Sequence, residues 1–324
     1  MRVVSLFSGA GGLDLGLVRA GLEIVWANDI FQDAAATYAN NIGRHIDTRD
    51  IAEISSSEIP DCDVIVGGFP CQGFSVANWG RTSNDPRNQL YREMVRIIAA
   101  KKPRFFLGEN VKGLVSMAKG EALRRIVADL EDCGYVVRHA VVNAADYGVP
   151  QARMRVLIFG VRHDVEWTGV FPPPPTHIRP DLAPVSGLLP WLSVGEALAH
   201  LPEPELGRHL ANHECSKYKL RFNGHLGHRR IDPARPAPTV TSRGDDRGGV
   251  VVLHHPGNHR RMTARELAAV QSFPDDFVFA GTKTSAYRQI SNAVPPLLGE
   301  AVGRMLIGAS WGSEHGRERE FETA

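Results

Sequence analysis

The residue best suited to nucleophilic chemistry in this 324-residue chain is Cys71. It lies in a Gly- and Pro-rich stretch, 67–75, directly after the apolar run 64–66 that predicts a buried strand. Open α/β sheets bind their ligands at the carboxyl ends of their strands, which is where such a loop would lie. A thiol with an ordinary pKa of about 8.5 is partly ionised at neutral pH and is a strong nucleophile. The pattern makes Cys71 a candidate for covalent chemistry; the other interpretation, usual for a free cysteine, is a small buried apolar residue.

A second cluster, residues 7–14, reads Phe-Ser-Gly-Ala-Gly-Gly-Leu-Asp between a predicted strand and a predicted helix. Glycines there let the backbone turn tightly and approach a ligand. Asp29 ends the next predicted strand, where an acid can accept hydrogen bonds from a ribose diol. These residues predict an adenosine-containing ligand without saying which one. A nicotinamide-dependent oxidoreductase would explain them, but it would not explain the Pro-Cys-Gln loop.

Strands and helices alternate through the first half of the chain, which predicts a mostly parallel sheet covered by helices on both faces. The last two strands are close in sequence and are expected to pair antiparallel at the edge of the sheet. The predicted strands lie near 2–7, 23–28, 63–67, 104–108, 135–142 and 154–161. The predicted helices lie near 13–20, 31–41, 88–101, 119–133, 263–272 and 295–309.

The charge distribution indicates a polyanionic partner. The net charge is only +1, but residues 217–265 hold eleven Lys or Arg against three Asp. A solvated basic face is the other interpretation of this stretch. The four cysteines form no CxxC pair, and the chain has no apolar run of membrane-spanning length and no signal-peptide pattern. We expect reduced thiols and a cytoplasmic location. His209, His213 and Cys215 lack a fourth ligand at a telling distance, so no metal is expected.

Seven motifs together resemble the cytosine-C5 DNA methyltransferase family, in the form typical of bacterial modification enzymes. The resemblance extends from residue 3 to about 307. The motifs are the glycine cluster at 7–12, Pro70-Cys71-Gln72, Glu109-Asn110-Val111, Asp146 to Pro150, Gln151 to Arg155, Arg261 to Phe277, and Gln289 to Pro295. One departure is Ser5, which stands where many members of the family have an acidic residue; we expect a modest effect on cofactor binding.

The resemblance implies a Rossmann-like, class I S-adenosylmethionine-dependent methyltransferase fold with a smaller, loop-rich target-recognition domain. Residues 1–165 and 285–310 would form the catalytic domain, 166–284 the recognition domain, and 311–324 a flexible tail. The cofactor would be S-adenosyl-L-methionine, with S-adenosyl-L-homocysteine as its product.

The resemblance also implies a role for each matched residue. Phe7 would pack against the adenine ring, Asp29 would bind the ribose, and Asp50 with Ile51 would recognise the adenine edge. The segment 292–294 would reach the methionine part. The full set of expected cofactor contacts is Phe7, Ser8, Gly9, Ala10, Gly11, Gly12, Leu13, Asp29, Ile30, Asp50, Ile51, Gly68, Pro70, Leu90, Asn292, Ala293 and Val294.

In the same family pattern Cys71 would attack carbon 6 of cytosine while Glu109 holds N3 and the exocyclic amine. Arg155 would hold the flipped base, and Arg153 would support the nucleophile loop or contact a phosphate. Addition of the thiolate turns carbon 5 into an enamine carbon that can accept a methyl group, and the base must leave the stack for this to happen. The expected DNA contacts are Gln72, Ser75, Arg229, Arg230, Thr239, Val240, Arg243 and Arg261.

The expected partner is double-stranded DNA, with the chain acting as a monomer on nucleoid DNA and a cognate restriction endonuclease, if one exists, acting separately. One alternative is a tRNA cytosine-C5 methyltransferase, but that branch carries a Cys-Phe-Thr signature that this sequence lacks. Another is a catalytically silent DNA-binding module, which should have lost Cys71, Glu109 or the cofactor glycines. All of these are present.

Overall fold

The computed structural model describes residues 1–70, 90–182, 187–215, 220, 222, 228–242 and 250–311. Four of the predicted site residues lie outside this part of the chain: Cys71, Gln72, Ser75 and Arg243. The predicted tail lies outside it as well, except for residue 311.

A seven-stranded sheet forms the centre of the molecule, in the order β3-β2-β1-β4-β5-β8-β6. Neighbouring strands from β3 to β5 are parallel, and β8 runs antiparallel between β5 and β6. The fold class is thus confirmed, as is the antiparallel pair at the edge. The strands of the sheet are β1 (Arg2–Leu6), β2 (Glu23–Asn28), β3 (Ile46–Asp47), β4 (Val64–Gly67), β5 (Phe105–Val111), β6 (Tyr135–Asn143) and β8 (Met154–Arg162).

Side chains on the central strands alternate between two apolar cores, one on each face of the sheet. In β4, Val64 and Val66 point into one core and Ile65 into the other, and all three are fully buried. The near-continuous apolar runs of β1, β4 and β5 follow from this double burial.

The helices predicted from sequence are present, with ends that differ by a few residues. Three helices, α4, α6 and α8, were not predicted, although Ser193-x-x-Glu196 is a capping-box signature before α6. The helices are α1 (Gly12–Arg19), α2 (Gln32–Asn41), α3 (Leu90–Lys101), α4 (Gly113–Ser116), α5 (Glu121–Glu131), α6 (Val194–Leu198), α7 (Ala264–Val270), α8 (Lys283–Asn292) and α9 (Pro296–Trp311). Among the described residues, no helix is long and apolar enough to span a membrane.

A third core joins α6, α7 and α8 to Ala10 of the glycine cluster, so this region packs directly against the loop after β1. Its strands have only two residues each, in agreement with the loop-rich character expected from sequence. The predicted domain boundaries stay a prediction. The short strands are β7 (Gln151–Ala152), β9 (His177–Ile178), β10 (Leu189–Pro190), β11 (Ala237–Pro238), β12 (Thr241–Ser242) and β13 (Val250–Val251).

Candidate active site

A buried ion pair lies at the carboxyl end of β5, where Arg155 of β8 meets Glu109. The Nε of Arg155 is 2.7 Å from Oε1 of Glu109, and the side chains are 9% and 11% exposed. The pairing of β5 with β8 brings them together, because Arg155 is the register partner of Val111, two residues beyond Glu109. Two charges predicted to serve one base therefore lie on adjacent strands.

The loop that carries Cys71 begins against this pair. A Cβ placed on Gly68 would lie 3.2 Å from Oε2 of Glu109, so glycine lets the carboxylate approach the loop backbone. Asn110 donates a hydrogen bond of 2.9 Å to the carbonyl of Phe69, two residues before Cys71. The described part of the loop ends at Pro70, which is exposed. The strand β5 thus fixes the start of the loop while Oε2 of Glu109 faces it.

The glycine cluster forms a tight turn after β1. Phe7, Gly9 and Gly11 all have positive φ, at 55°, 55° and 85°. A side chain on Gly11 would collide with Ile42, whereas the space beside Gly9 is open. Open space beside a strained backbone turn is what a ligand that approaches the main chain requires.

Asp29 organises this turn from the end of β2. Its carboxylate accepts N–H groups from Gly9 and Phe31, each at 2.8 Å, which leaves other lone pairs free for a ligand. Burial raises the pKa of Asp29, and these two backbone hydrogen bonds oppose the shift. The side-chain amide of Asn28 donates a hydrogen bond of 2.9 Å to the carbonyl of Arg49 and so holds the backbone next to Asp50.

The segment after α8 lies against the same turn. A Cβ on Gly12 would lie 2.2 Å from the carbonyl oxygen of Val294, so only glycine allows this approach. Asn292 is exposed, whereas Ala293 and Val294 are 9% and 8% exposed. The structure therefore brings together the four predicted cofactor segments, 7–13, 29–30, 50–51 and 292–294.

The remaining predicted cofactor residues have varied exposure. Ile30 is 62% exposed beside Asp29, and Ile51 is buried. Ser8 lies in the turn, and its amide donates a hydrogen bond to the carbonyl of Asn28. Leu90 is the first residue of α3 and is half-buried. Their contacts with a cofactor stay a prediction.

A buried carboxyl group lies beneath the turn. Asp14 accepts hydrogen bonds from Ser5 at 2.7 Å and from Tyr38 at 2.8 Å, and burial raises its pKa to about 6. The Tyr38 hydroxyl also contacts Nε2 of His45 at 3.1 Å. Ser5, the departure from the family pattern, is thus the partner of an acid supplied by α1.

Arg153 does not lie where a phosphate could reach it, which corrects one of its two expected roles. It is 1% exposed, and it donates to the carbonyls of Val240, Ser291 and Ala293, each at 2.9 Å. Burial is the main cause that lowers the pKa of the Arg153 guanidinium. The predicted support of the nucleophile loop is untested, because most of that loop lies outside the described residues.

The expected DNA contacts differ in exposure. Arg229 and Arg230 are exposed, and Arg230 stacks 4.4 Å from the ring centre of Phe222. Thr239 donates 2.7 Å to the carbonyl of Ala152, which ties the recognition region to the sheet.

Val240 is fully buried, which corrects its placement among the DNA contacts: its side chain belongs to the third core. Arg261 is half-buried and forms an isolated bridge with His254. The DNA contacts of Arg229, Arg230, Thr239 and Arg261 stay predictions.

The histidines near residue 209 have protein partners. His213 is buried, with Nε2 on the carbonyl of Pro202 and Nδ1 on the hydroxyl of Thr263. Since the carbonyl must accept, the Nε2 of His213 carries the proton in this arrangement. It is a core histidine that positions the capping residue of α7.

Another group, Glu203 with His255 and His259, has ligand atoms within 4.8 Å of one another. Its atoms are engaged by the protein, because Arg260 pairs with Glu203 at 2.7 Å and the Gly257 amide donates to Nδ1 of His255. We assign no metal to it.

Several buried residues that hold the backbone near the site were not singled out from sequence. Gln151, Asn110 and Arg265 are buried and act through hydrogen bonds to backbone groups. The motifs that contain the first two were recognised, but a motif does not show whether a side chain faces a ligand or a carbonyl group. Arg265 also lies inside a recognised motif, Arg261 to Phe277, and next to the Thr263-x-x-Glu266 capping box.

The sheet order, the glycine turn after its first strand and the antiparallel β8 define a class I S-adenosylmethionine-dependent methyltransferase. The sequence model for "C-5 cytosine-specific DNA methylase" matches residues 1–308. The chain belongs to this family. It transfers a methyl group from S-adenosylmethionine to carbon 5 of cytosine in DNA.

Similar proteins agree with this assignment. The chain is 40% identical to the type II methyltransferase M.NgoFVII of Neisseria gonorrhoeae, over 91% of this chain and 83% of that protein. It is 35% identical to M.MthTI of Methanothermobacter thermautotrophicus, over 94% and 97% of the two chains. A solved structure of a putative DNA modification methyltransferase from an E.coli prophage has a TM-score of 0.75 and 26% identity, with 96% and 99% of the chains covered.

Proposed function

We propose that this methyltransferase acts on a cytosine swung out of double-stranded DNA, within one specific sequence, through covalent addition of Cys71. The observation that carries the proposal is the Glu109–Arg155 pair beside the start of the Cys71 loop. In a water-poor pocket, a fixed guanidinium and a carboxyl group that can donate a proton can hold one base and stabilise the negative charge that develops on it.

In the proposed reaction the Cys71 thiolate forms a bond to carbon 6 of cytosine, and negative charge moves towards N3. Oε2 of Glu109 faces the loop and would meet N3, while Oε1 stays on Arg155. Arg155, which pairs with Oε1 of Glu109, would also hold the base. The methyl donor supplies an electrophilic carbon on a sulfonium. Loss of the carbon-5 proton then expels Cys71, which restores the aromatic ring.

The residues around the glycine turn fit this methyl donor. Asp29 has lone pairs left for the ribose, the space beside Gly9 is open, and Asn292 is exposed next to the turn. We assign the ribose to Asp29, the adenine to Phe7 with Asp50, and the methionine part to the segment 292–294.

The setting we propose is restriction–modification, on chromosomal DNA in the bacterial cytoplasm, with the chain acting as a monomer and any endonuclease acting separately. The type II methyltransferases among its relatives support this. Exposed Arg229 and Arg230 would contact phosphates or guanines of the target. Methylation of tRNA is the alternative, and a direct comparison of substrates distinguishes the two.

The test is transfer of tritiated methyl groups to unmethylated duplex DNA, to tRNA, and to no nucleic acid. We expect label in DNA alone, and label in tRNA instead of DNA would overturn the proposal. Bisulfite sequencing of DNA from expressing cells then gives the target sequence. Methylation without a sequence preference would contradict specific recognition.

Covalent catalysis has its own test. Cys71→Ala should bind the cofactor but transfer no methyl group. The control is Cys133→Ala, which should retain activity, because the Cys133 thiol only donates a hydrogen bond to the carbonyl of Asp129. A duplex with 5-fluorocytosine at the target should trap a protein–DNA adduct, because fluorine cannot leave as the proton does. Turnover by Cys71→Ala, or no adduct with the parent, would contradict the mechanism.

A further inference from the structure

One buried guanidinium joins the recognition region to the cofactor segment. Nη1 of Arg153 donates to the carbonyl of Val240, and Nη2 donates to the carbonyls of Ser291 and Ala293, all at 2.9 Å. Val240 follows Thr239 of the recognition region, and the other two acceptors flank Asn292. Three segments far apart in sequence therefore meet on one side chain.

The guanidinium transmits displacement because it is planar and rigid. Its N–H groups are fixed in a fork, so Nη1 and Nη2 cannot move independently. Arg153 is 1% exposed, so its hydrogen bonds lie away from the bulk solvent. A buried carbonyl without a donor is costly, so a shift of the Val240 carbonyl must carry the guanidinium with it.

A glutamine strengthens the recognition side of this connection. Oε1 of Gln151 accepts from the Val240 amide at 3.1 Å and from Nη1 of Arg153 at 3.4 Å. Val240 is thus held through both its amide and its carbonyl. The hydroxyl of Thr239 is fixed to Ala152, between the two residues that hold Val240.

We propose that Arg153 is a positioning residue that couples DNA binding to cofactor binding, by linking the backbone at Val240 to the backbone at 291–293. This inference rests on the proposed function, which assigns DNA to the recognition region and the cofactor to residues 292–294. DNA that moves or orders residues 239–240 would reset the Ser291 and Ala293 carbonyls. Asn292 between them would then be held for the cofactor.

Arg265 provides a matched control. It is also fully buried, and it donates to three carbonyls, those of Ala211, Pro274 and Phe277. All three acceptors lie outside the segment 291–294, so Arg265 has the same chemistry without the connection. A lysine at either position removes the fork but keeps the charge.

The experiment measures the Kd of S-adenosylhomocysteine with and without a saturating short duplex that carries the target sequence. In the parent we expect DNA to lower this Kd by about 5- to 150-fold, the range typical of coupled sites. In Arg153→Lys the ratio should fall towards one, whereas in Arg265→Lys it should stay at the parent value. A parent ratio retained by Arg153→Lys would overturn the inference.

A second variant covers the case in which Arg153→Lys does not fold. Gln151→Met removes the acceptor for the Val240 amide but leaves the bonds of Arg153 to Ser291 and Ala293. Without DNA, the Kd of S-adenosylhomocysteine for this variant should match that of the parent. The factor by which DNA lowers this Kd should be smaller than in the parent, and an unchanged factor would contradict the inference. Coupling is reciprocal, so the Kd of DNA with and without cofactor must give the same ratio.

Failure of the proposed function has a different signature. It would appear in the parent itself, as absence of methyl transfer to DNA. A parent that methylates DNA but shows a ratio of one would overturn the coupling alone.

Discussion

The central sheet and the region of residues 193–293 hold their polar groups by different means. In the sheet, strands satisfy one another through long ladders, such as the seven paired residues of β5 and β8. In the second region the strands have two residues each, and side chains satisfy the backbone instead. Arg265 holds three carbonyls there, and Asn212 holds both the amide and the carbonyl of Phe279.

This difference separates chemistry from scaffolding among the buried arginines. The arginine at the end of a ladder, Arg155, is free to pair with a carboxylate, because the strands need no side chain to satisfy their backbone. Arg153 and Arg265 contact segments between regular elements or at their ends and donate hydrogen bonds to their backbone carbonyls. Among these three arginines, the one that pairs with a carboxylate, Arg155, lies beside the start of the Cys71 loop, although it also donates to the carbonyl of Met154.

The largest effect is expected from the carboxylate at the end of the sheet. Glu109→Gln keeps an acceptor for Arg155 but cannot supply a proton to N3. We expect methyl transfer to slow by about 10²–10⁴-fold, the usual contribution of a general acid, while cofactor binding is retained. Single-turnover transfer of labelled methyl groups measures this.

The matched control is Glu203→Gln, at a half-exposed carboxylate paired with Arg260 in the second region. Its transfer rate should equal that of the parent. A methyl-transfer rate for Glu109→Gln within tenfold of the parent would contradict the proposed role of the carboxylate paired with Arg155 in the reaction.

The next effect concerns scaffolding. Arg265→Met removes a donor from the carbonyls of Ala211, Pro274 and Phe277. The Pro274 carbonyl still accepts the Phe277 amide, and a buried group left without any donor costs about 1–3 kcal/mol. We expect the free energy of unfolding to fall by about 1–3 kcal/mol, with DNA binding more impaired than cofactor binding. Chemical denaturation and the two binding titrations measure these quantities. Arg235→Met, at an exposed arginine paired with Asp232, is the control. Equal stability of the two variants would contradict the scaffolding role.

The same contrast explains what could be predicted from sequence. The strands were predictable because runs such as 64–66 are apolar for a local reason, burial on both faces. The glycine turn and the place of Asp29 at the end of β2 were predictable from residue type and position at strand ends, whereas Glu109 was singled out only through the resemblance to the family. The resemblance to the family also implied that residues 292–294 return to the turn, and the close approach of Gly12 and Val294 agrees with this.

The second region could not be predicted in this way. Its bonds join residues far apart in the chain, such as Arg153 and Ala293, and no local period encodes them. Helix α8 was missed because only its last residues, 289–292, were interpreted, as part of a family motif, although Thr282 is a typical capping residue at its start. Val240 was placed on DNA because the Thr-Val pair marks the recognition region, whereas its own apolar character was the better guide.

A smaller effect is expected from Asp14 beneath the glycine turn. Its pKa of about 6 in the folded chain exceeds its ordinary value of 3.8, because burial disfavours the charge. Folding then takes up a proton between these values. The stability that Asp14 contributes is fully present below pH 3.8 and is lost as the pH rises through about 6. Two pKa units correspond to about 3 kcal/mol as an upper figure.

Asp14→Asn should remove this dependence. The asparagine oxygen can accept from Ser5, and its amide can donate to Tyr38 if that hydroxyl donates to His45. We expect the Tm of the variant to rise relative to the parent as the pH increases from 4 to 7. Asp181→Asn, at an exposed carboxylate, is the control. Parallel curves for Asp14→Asn and the parent would show that the buried charge costs nothing.

The smallest effect is expected at an exposed ion pair on the sheet side. Arg124 and Glu121 of α5 are 3.0 Å apart, but their side chains are 66% and 58% exposed. Water screens such a pair, so Arg124→Gln should change the free energy of unfolding by less than about 1 kcal/mol. Denaturation beside Arg265→Met measures the contrast. A loss at Arg124 as large as the loss at Arg265 would mean that charge itself, rather than buried carbonyls in need of donors, makes arginines structural in this protein.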